Sequence, residues 1–99
     1  MSRRASKVDG NQREITDAFR KLGASVLFLH GVGMGCPDIL VGYRGRNYLI
    51  EIKDGSKPPS ERKLTQMQQD LHASWRGQVD VIESVEDVES FIAAANRHP

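Results

Sequence analysis

Ninety-nine residues, 38% hydrophobic and 27% charged, fit one small soluble globular domain with a single core. Fourteen Lys and Arg against thirteen Asp and Glu leave a formal charge of +1, so overall charge announces no nucleic-acid partner and any basic surface must be local. The lone Cys36 excludes an internal disulfide framework and fits a reducing cytoplasm; no apolar run is long enough to span a bilayer, and the basic first residues lack the apolar segment of a signal peptide.

Residues 1–10 are polar and basic and are expected to form a loose arm. Its Arg3, Arg4 and Lys7 are either solvated or touch phosphates without reading sequence. A first helix is predicted over 11–22, because Ile15, Ala18, Phe19 and Leu22 recur at helical spacing and Gly23 then stops it. Glu14 falls at the edge of that stripe and can reach the rim of a site beneath the helix, although the helix dipole alone also accounts for an acidic residue there. Residues 25–30 form an apolar run and read as a buried first strand. The loop Gly31-Val32-Gly33-Met34-Gly35-Cys36 suits either a close approach to phosphate or a plain connection, and it matches no dinucleotide or P-loop fingerprint. His30 is read as a structural histidine ahead of a substrate contact, and Cys36 as a packed residue ahead of a nucleophile.

Residues 37–53 carry the chemistry. Two runs rich in Ile, Leu, Val and Tyr flank Arg-Gly-Arg-Asn and predict a β-hairpin. With Gly45-Arg46 as a type II′ turn, Tyr43 pairs with Tyr48, Leu40 with Glu51 and Asp38 with Lys53. Asp38, Leu40, Leu49, Glu51 and Lys53 then share one face, and Ile39, Val41, Ile50 and Ile52 the other. Across neighbouring strands the Asp38 and Glu51 carboxylates can converge on one ion. Mg²⁺ takes one or two carboxylates and completes its shell with water and phosphate oxygens, while Lys53 beside it can stabilise charge on a phosphate. The plainer alternative is a solvated Asp–Lys pair worth at most about 1 kcal/mol.

Residues 54–64 are expected to be loop. Thr65 and Gln68 match a capping box, opening a helix to about Arg76 with Met67, Leu71 and Trp75 on its buried side. A strand follows over 78–82. Ser84 caps a final helix striped by Val85, Val88, Phe91, Ile92 and Ala95, and residues 96–99 form a tail. The predicted order is α-β-β-β-α-β-α, an α/β domain over 11–95 with a central mixed four-stranded sheet flanked by helices.

Pro37-Asp38 followed by Glu51-Ile52-Lys53 resembles the PD-(D/E)XK nuclease core, of restriction-endonuclease-like fold. The wider chain resembles the VRR-NUC (virus-type replication-repair nuclease) family in its small stand-alone form from phage and bacteria. The matching stretches are Asn11-Gln12-Arg13-Glu14-Ile15, Cys36-Pro37-Asp38, Glu51-Ile52-Lys53, Lys63-Leu64-Thr65-Gln66-Met67-Gln68 and Val81 to Glu86. Cys36 stands where relatives often carry a small or polar residue, which bears on loop shape.

The resemblance implies that Glu14, Asp38, Glu51 and the Ile52 carbonyl hold Mg²⁺ or Mn²⁺, and that Lys53 and Gln68 act with Asp38 and Glu51 in catalysis. The capping box by itself also accounts for Gln68. It implies hydrolysis of DNA phosphodiesters by a homodimer acting on branched DNA, as Holliday-junction resolvases do, in the cytoplasm of a bacterial or phage-infected cell. Arg44, Arg46, Lys57, Arg62 and Lys63 are candidate phosphate contacts. No nucleotide cofactor, membrane or base-specific readout is indicated. The alternatives are a catalytically silent DNA-binding or assembly module of the same fold, and a general duplex endonuclease.

Overall fold

The computed structural model describes residues 10–98. Arg3, Arg4 and Lys7 of the expected arm, and the last residue of the tail, lie outside the described residues. The elements are α1 (Gln12–Lys21), β1 (Ser25–Phe28), β2 (Ile39–Tyr43), β3 (Arg46–Ile52), a 3₁₀ turn (Pro59–Glu61), α2 (Gln66–Ser74), β4 (Val79–Ile82) and α3 (Val85–Asn96). Their order is the predicted one.

The strands form one mixed sheet in the order β1-β2-β3-β4, with antiparallel pairing up to β3 and a parallel β3–β4 pair across the α2 crossover. Period-two alternation turns Ile39, Val41, Tyr48, Ile50, Ile52 and Ile82 to one face. Ile15 and Phe19 of α1 and Val88 and Ile92 of α3 bury that face. Phe91 meets Phe19 and Tyr48 edge-on, at 5.6 and 4.8 Å between ring centroids. Each fully buried Ile or Phe contributes about 1.5–3 kcal/mol, so this face holds the sheet and the two helices together. Gly23 ends α1 at φ +97°, a conformation that costs glycine little.

Three expectations are corrected. The hairpin turns at Arg44-Gly45, not Gly45-Arg46: both residues have positive φ (+52° and +81°), the type I′ pattern, and Tyr43 pairs with Arg46, Val41 with Tyr48 and Leu40 with Leu49. Because the shift in pairing is two residues, every side chain keeps its predicted face. Second, β1 is an edge strand with Leu27 and Phe28 exposed, since only β2 pairs with it and α1 covers part of one side. Third, α2 buries none of its residues, and Met67 and Trp75 are exposed, because α2 lies over the open end of the outer sheet face instead of the core.

Candidate active site

The open end of the hairpin is stitched by Asp38. Its backbone N–H donates to the Ile50 carbonyl at 3.0 Å, and its Oδ2 accepts from the Ile52 N–H at 2.7 Å. Its own carbonyl accepts from Leu29 N–H at 2.9 Å, which ties in the end of β1. Asp38 therefore holds the residues on both sides of Glu51. Glu51 is only 3% exposed, and burial of a carboxylate demands compensating partners.

Those partners come from the helix that the capping box starts. Thr65 Oγ1 accepts from the Gln68 N–H and Gln68 Oε1 accepts from the Thr65 N–H, fixing the Gln68 side chain over the sheet. Gln68 Nε2 then donates to Glu51 Oε2 at 3.2 Å, and Lys53 Nζ donates to Gln68 Oε1 at 3.0 Å. Lys53 Nζ also stands 3.8 Å from Glu51 Oε2. Capping and site contact thus use the same glutamine. Lys53 is positioned from behind by Asn11, whose Nδ2 donates to the Lys53 and Glu83 carbonyls at 3.1 and 3.0 Å.

Asp38, Glu51, Lys53 and Gln68 open together onto a cavity of about 590 Å³, walled by His30, the glycine loop, Lys57, Glu61 and the start of α2. Gly35 seals the loop against that helix: a Cβ there would lie 2.6 Å from the Met67 carbonyl oxygen, and its φ is +76°. Burial, then the charges of Glu51 and Asp38, push the Cys36 thiol above its ordinary pKa and keep it protonated.

The donor set fits a hard divalent cation with few protein ligands. Among the described residues no three His, Cys, Asp or Glu side chains gather into a metal cluster. An ion held by Asp38 and Glu51 would complete its shell from carbonyl, water and phosphate oxygens, which is the habit of Mg²⁺.

Other candidate residues are not drawn together. Glu14 is exposed and lines a different cleft with Asn11, Asp54 and Glu83, because Gln12 and Thr16, not Glu14, flank Ile15 on the buried side of α1. Arg44 sits at the hairpin tip, about 20 Å of strand away from Asp38, and donates to Asn96 Oδ1 of α3 at 3.1 Å. Arg46 shares that end, beside Phe91 and His98. Arg62 donates to Glu83 Oε1 at 3.2 Å and to the Lys57 carbonyl at 2.8 Å, so it anchors the loop after β3. Lys57 lines the cavity and Lys63 is exposed just before α2. Two residues near the site were missed in the sequence, Asn11 and Gln12. Both are buried polar groups at the start of α1, and Gln12 carries the available signal: a polar residue three before Ile15, on the apolar stripe.

A mixed four-stranded sheet flanked by helices, with an Asp and a Glu-x-Lys at the open end of its hairpin, defines a nuclease domain of the PD-(D/E)XK type. No protein-family model and no curated protein matches the chain. Among solved structures, one described as a VRR_NUC domain is 28% identical, with a TM-score of 0.63 over 83% of this chain and 89% of that one. The chain is thus similar to a VRR_NUC domain in fold and, at 28% identity, in sequence. Nucleases of this type commonly use divalent metals, and no helix among the described residues is long and apolar enough to cross a membrane.

Proposed function

We propose that this chain is an Mg²⁺- or Mn²⁺-dependent endodeoxyribonuclease, selective for branched DNA in the manner of a Holliday-junction resolvase. A single nuclease domain over 11–95, acting in the cytoplasm, carries the activity. The observation behind this reading is the convergence of Asp38, Glu51, Lys53 and Gln68 in one cavity.

In this reading Asp38 and Glu51 hold the cation, with the Ile52 carbonyl as a further ligand. When bound, the ion supplies polarisation of the phosphate and activation of water. Lys53, oriented by Gln68, neutralises the charge that builds on the phosphate as water attacks. Gln68 keeps the ammonium from collapsing onto Glu51, since it bonds both. The placement of Glu14 apart from the pair leaves Asp38 and Glu51 as the carboxylates that carry the proposal.

Among the proposed phosphate contacts, Lys57 and Lys63 have the better support, because Lys57 lines the cavity and Lys63 is exposed just before α2. The homodimer is supported by apolar surface beside the site: Met34, Met67 and Trp75 are 78%, 53% and 49% exposed. A two-fold dimer presents two sites to two strands.

The test is cleavage of an end-labelled four-way junction, a matched duplex and a single strand in Mg²⁺, with EDTA as control. Symmetric, metal-dependent incision near the junction supports the reading. Equal cutting of the plain duplex would replace it with a general endonuclease, and no cutting with retained DNA binding would replace it with a silent binding module.

A further inference from the structure

His30 stands at the rim of the nuclease cavity, outside the Asp38–Glu51–Lys53–Gln68 network. Its ring is nonetheless held by two contacts. Nε2 lies 3.2 Å from Nε2 of Gln12, a side chain only 6% exposed, and the ring stacks on Phe28 with centroids 5.5 Å apart and planes 18° from parallel. Phe28 is 47% exposed, and the Arg20 guanidinium carbon lies 5.5 Å from its ring centroid. Arg20, Phe28 and His30 therefore form a column from the last turn of α1 to the cavity.

The Gln12–His30 pair also joins two clefts. His30 lines the nuclease cavity, whereas Gln12, Arg13, Arg20 and Phe28 line a second one of about 460 Å³ along α1, with Asp17 as an acidic neighbour. Cations spaced along a groove with exposed aromatic rings suit one kind of ligand, a nucleic-acid strand whose bases are unstacked. An intact duplex offers phosphates to such a groove but keeps its base faces hidden, so Phe28 gains little from it. The ring of His30 adds a directed donor. With the Gln12 amide donating to Nε2, the neutral ring carries its proton on Nδ1, which has no partner among the described residues and is available to a phosphate oxygen.

We infer that one unpaired DNA strand leaves the active-site cavity across His30 and Phe28 and runs along α1 past Arg20 and Arg13. The inference rests on the nuclease reading and deepens it: at the branch point of its DNA, one strand parts from its complement beside the scissile phosphodiester and follows this track. Phe28 becomes the stacking platform as the Arg20 guanidinium leaves its ring for a phosphate, and His30 and Arg20 are the flanking phosphate contacts.

The experiment measures binding by fluorescence anisotropy in EDTA, using Asp38→Asn as parent, with labelled oligothymidylate and a blunt duplex of the same length. In this background Phe28→Ala and Phe28→Leu weaken single-strand binding about tenfold or more, Phe28→Trp retains it, and duplex binding changes less than about twofold. His30→Ala weakens the single strand as well, while Arg97→Ala, just after α3, leaves both unchanged. Phe28→Leu and Phe28→Trp both keep apolar bulk, so their divergence reads stacking and not folding; thermal melts and light scattering confirm unchanged fold and assembly. Unaltered single-strand binding in Phe28→Ala, an equal loss on duplex, or a change of oligomeric state in these variants would overturn the track. Cleavage assays with the otherwise wild-type enzyme separate the two levels. No metal-dependent cleavage overturns the nuclease reading, whereas cleavage with the same KM in wild type and Phe28→Ala overturns the track alone.

Discussion

Asp38 brackets Glu51: its backbone N–H bonds the Ile50 carbonyl and its carboxylate bonds the Ile52 N–H, so one residue of β2's approach grips β3 on both sides of the buried glutamate. A structural role and an electrostatic role coexist in one side chain. Substitutions at Asp38 separate them.

Asp38→Asn keeps an oxygen to accept from Ile52 and loses the charge. It is expected to melt within a few degrees of wild type while kcat/KM falls by about a hundredfold or more. Asp38→Ala also leaves the Ile52 N–H without its acceptor, costing a further 1–3 kcal/mol or so. Urea titration beside the cleavage assay distinguishes the two; equal stability of both variants would show that the bracket does not stabilise the hairpin.

Gln68 joins helix start to site, and its loss should register in both. Gln68→Ala removes half of the capping box at about 1 kcal/mol and releases Lys53 and Glu51 from their shared partner. We expect kcat to fall about tenfold with a smaller change in KM. A lower melting temperature with full activity would reduce Gln68 to a cap.

The glycine loop is expected to be sensitive at one position and tolerant at another. Gly35 has φ +76° and no room for a Cβ against the Met67 carbonyl, whereas Gly33, at φ +74°, has nothing within 4 Å. Gly35→Ala should destabilise by about 3 kcal/mol and impair cleavage by displacing the start of α2, while Gly33→Ala pays only the backbone strain, about 1 kcal/mol. Denaturant midpoints for the two variants test this directly.

His72 on α2 gives the fold an acid limit. Burial holds its pKa below the usual imidazole range; Asp80 pulls it up and Lys53 pushes it down. Its Nε2 is buried without a hydrogen-bond partner among the described residues. A folded pKa below the unfolded value of about 6.5 means that the unfolded chain binds the proton more readily. The associated stability is fully present above about pH 6.5 and is lost as pH falls through the folded pKa. Melting temperature should therefore decline between about pH 7 and pH 5, and His72→Leu should flatten that decline.

The legible part of the fold was what pattern and punctuation control. Ile15 and Phe19 marked the buried side of α1, Thr65 with Gln68 marked the start of α2, and the alternation in β2 and β3 set the faces that bring Asp38 and Glu51 to one side. The turn was misplaced by one residue because Gly45 fits either position of a two-residue loop, and nothing about arginine announces φ +52° at Arg44. Met67, Leu71 and Trp75 recur like a core stripe, yet periodicity does not say whether a second surface exists to receive them; on α2 none buries them fully. Likewise the apolar run of β1 does not reveal an edge position, which depends on which strand lacks a second neighbour. The pairing of Gln12 with His30 spans 18 residues and two elements, and only the folded chain brings them together.

The central claim is that Asp38, Glu51 and Lys53 form one metal-dependent hydrolytic site. Its most direct test is single-turnover cleavage of a labelled four-way junction by wild type, Glu51→Gln and Lys53→Met, in Mg²⁺ and in EDTA. Mg²⁺-dependent cleavage by wild type, lost in both variants while junction binding persists, is the predicted result. Cleavage that survives EDTA, or that proceeds at the wild-type rate in Glu51→Gln, would contradict the account.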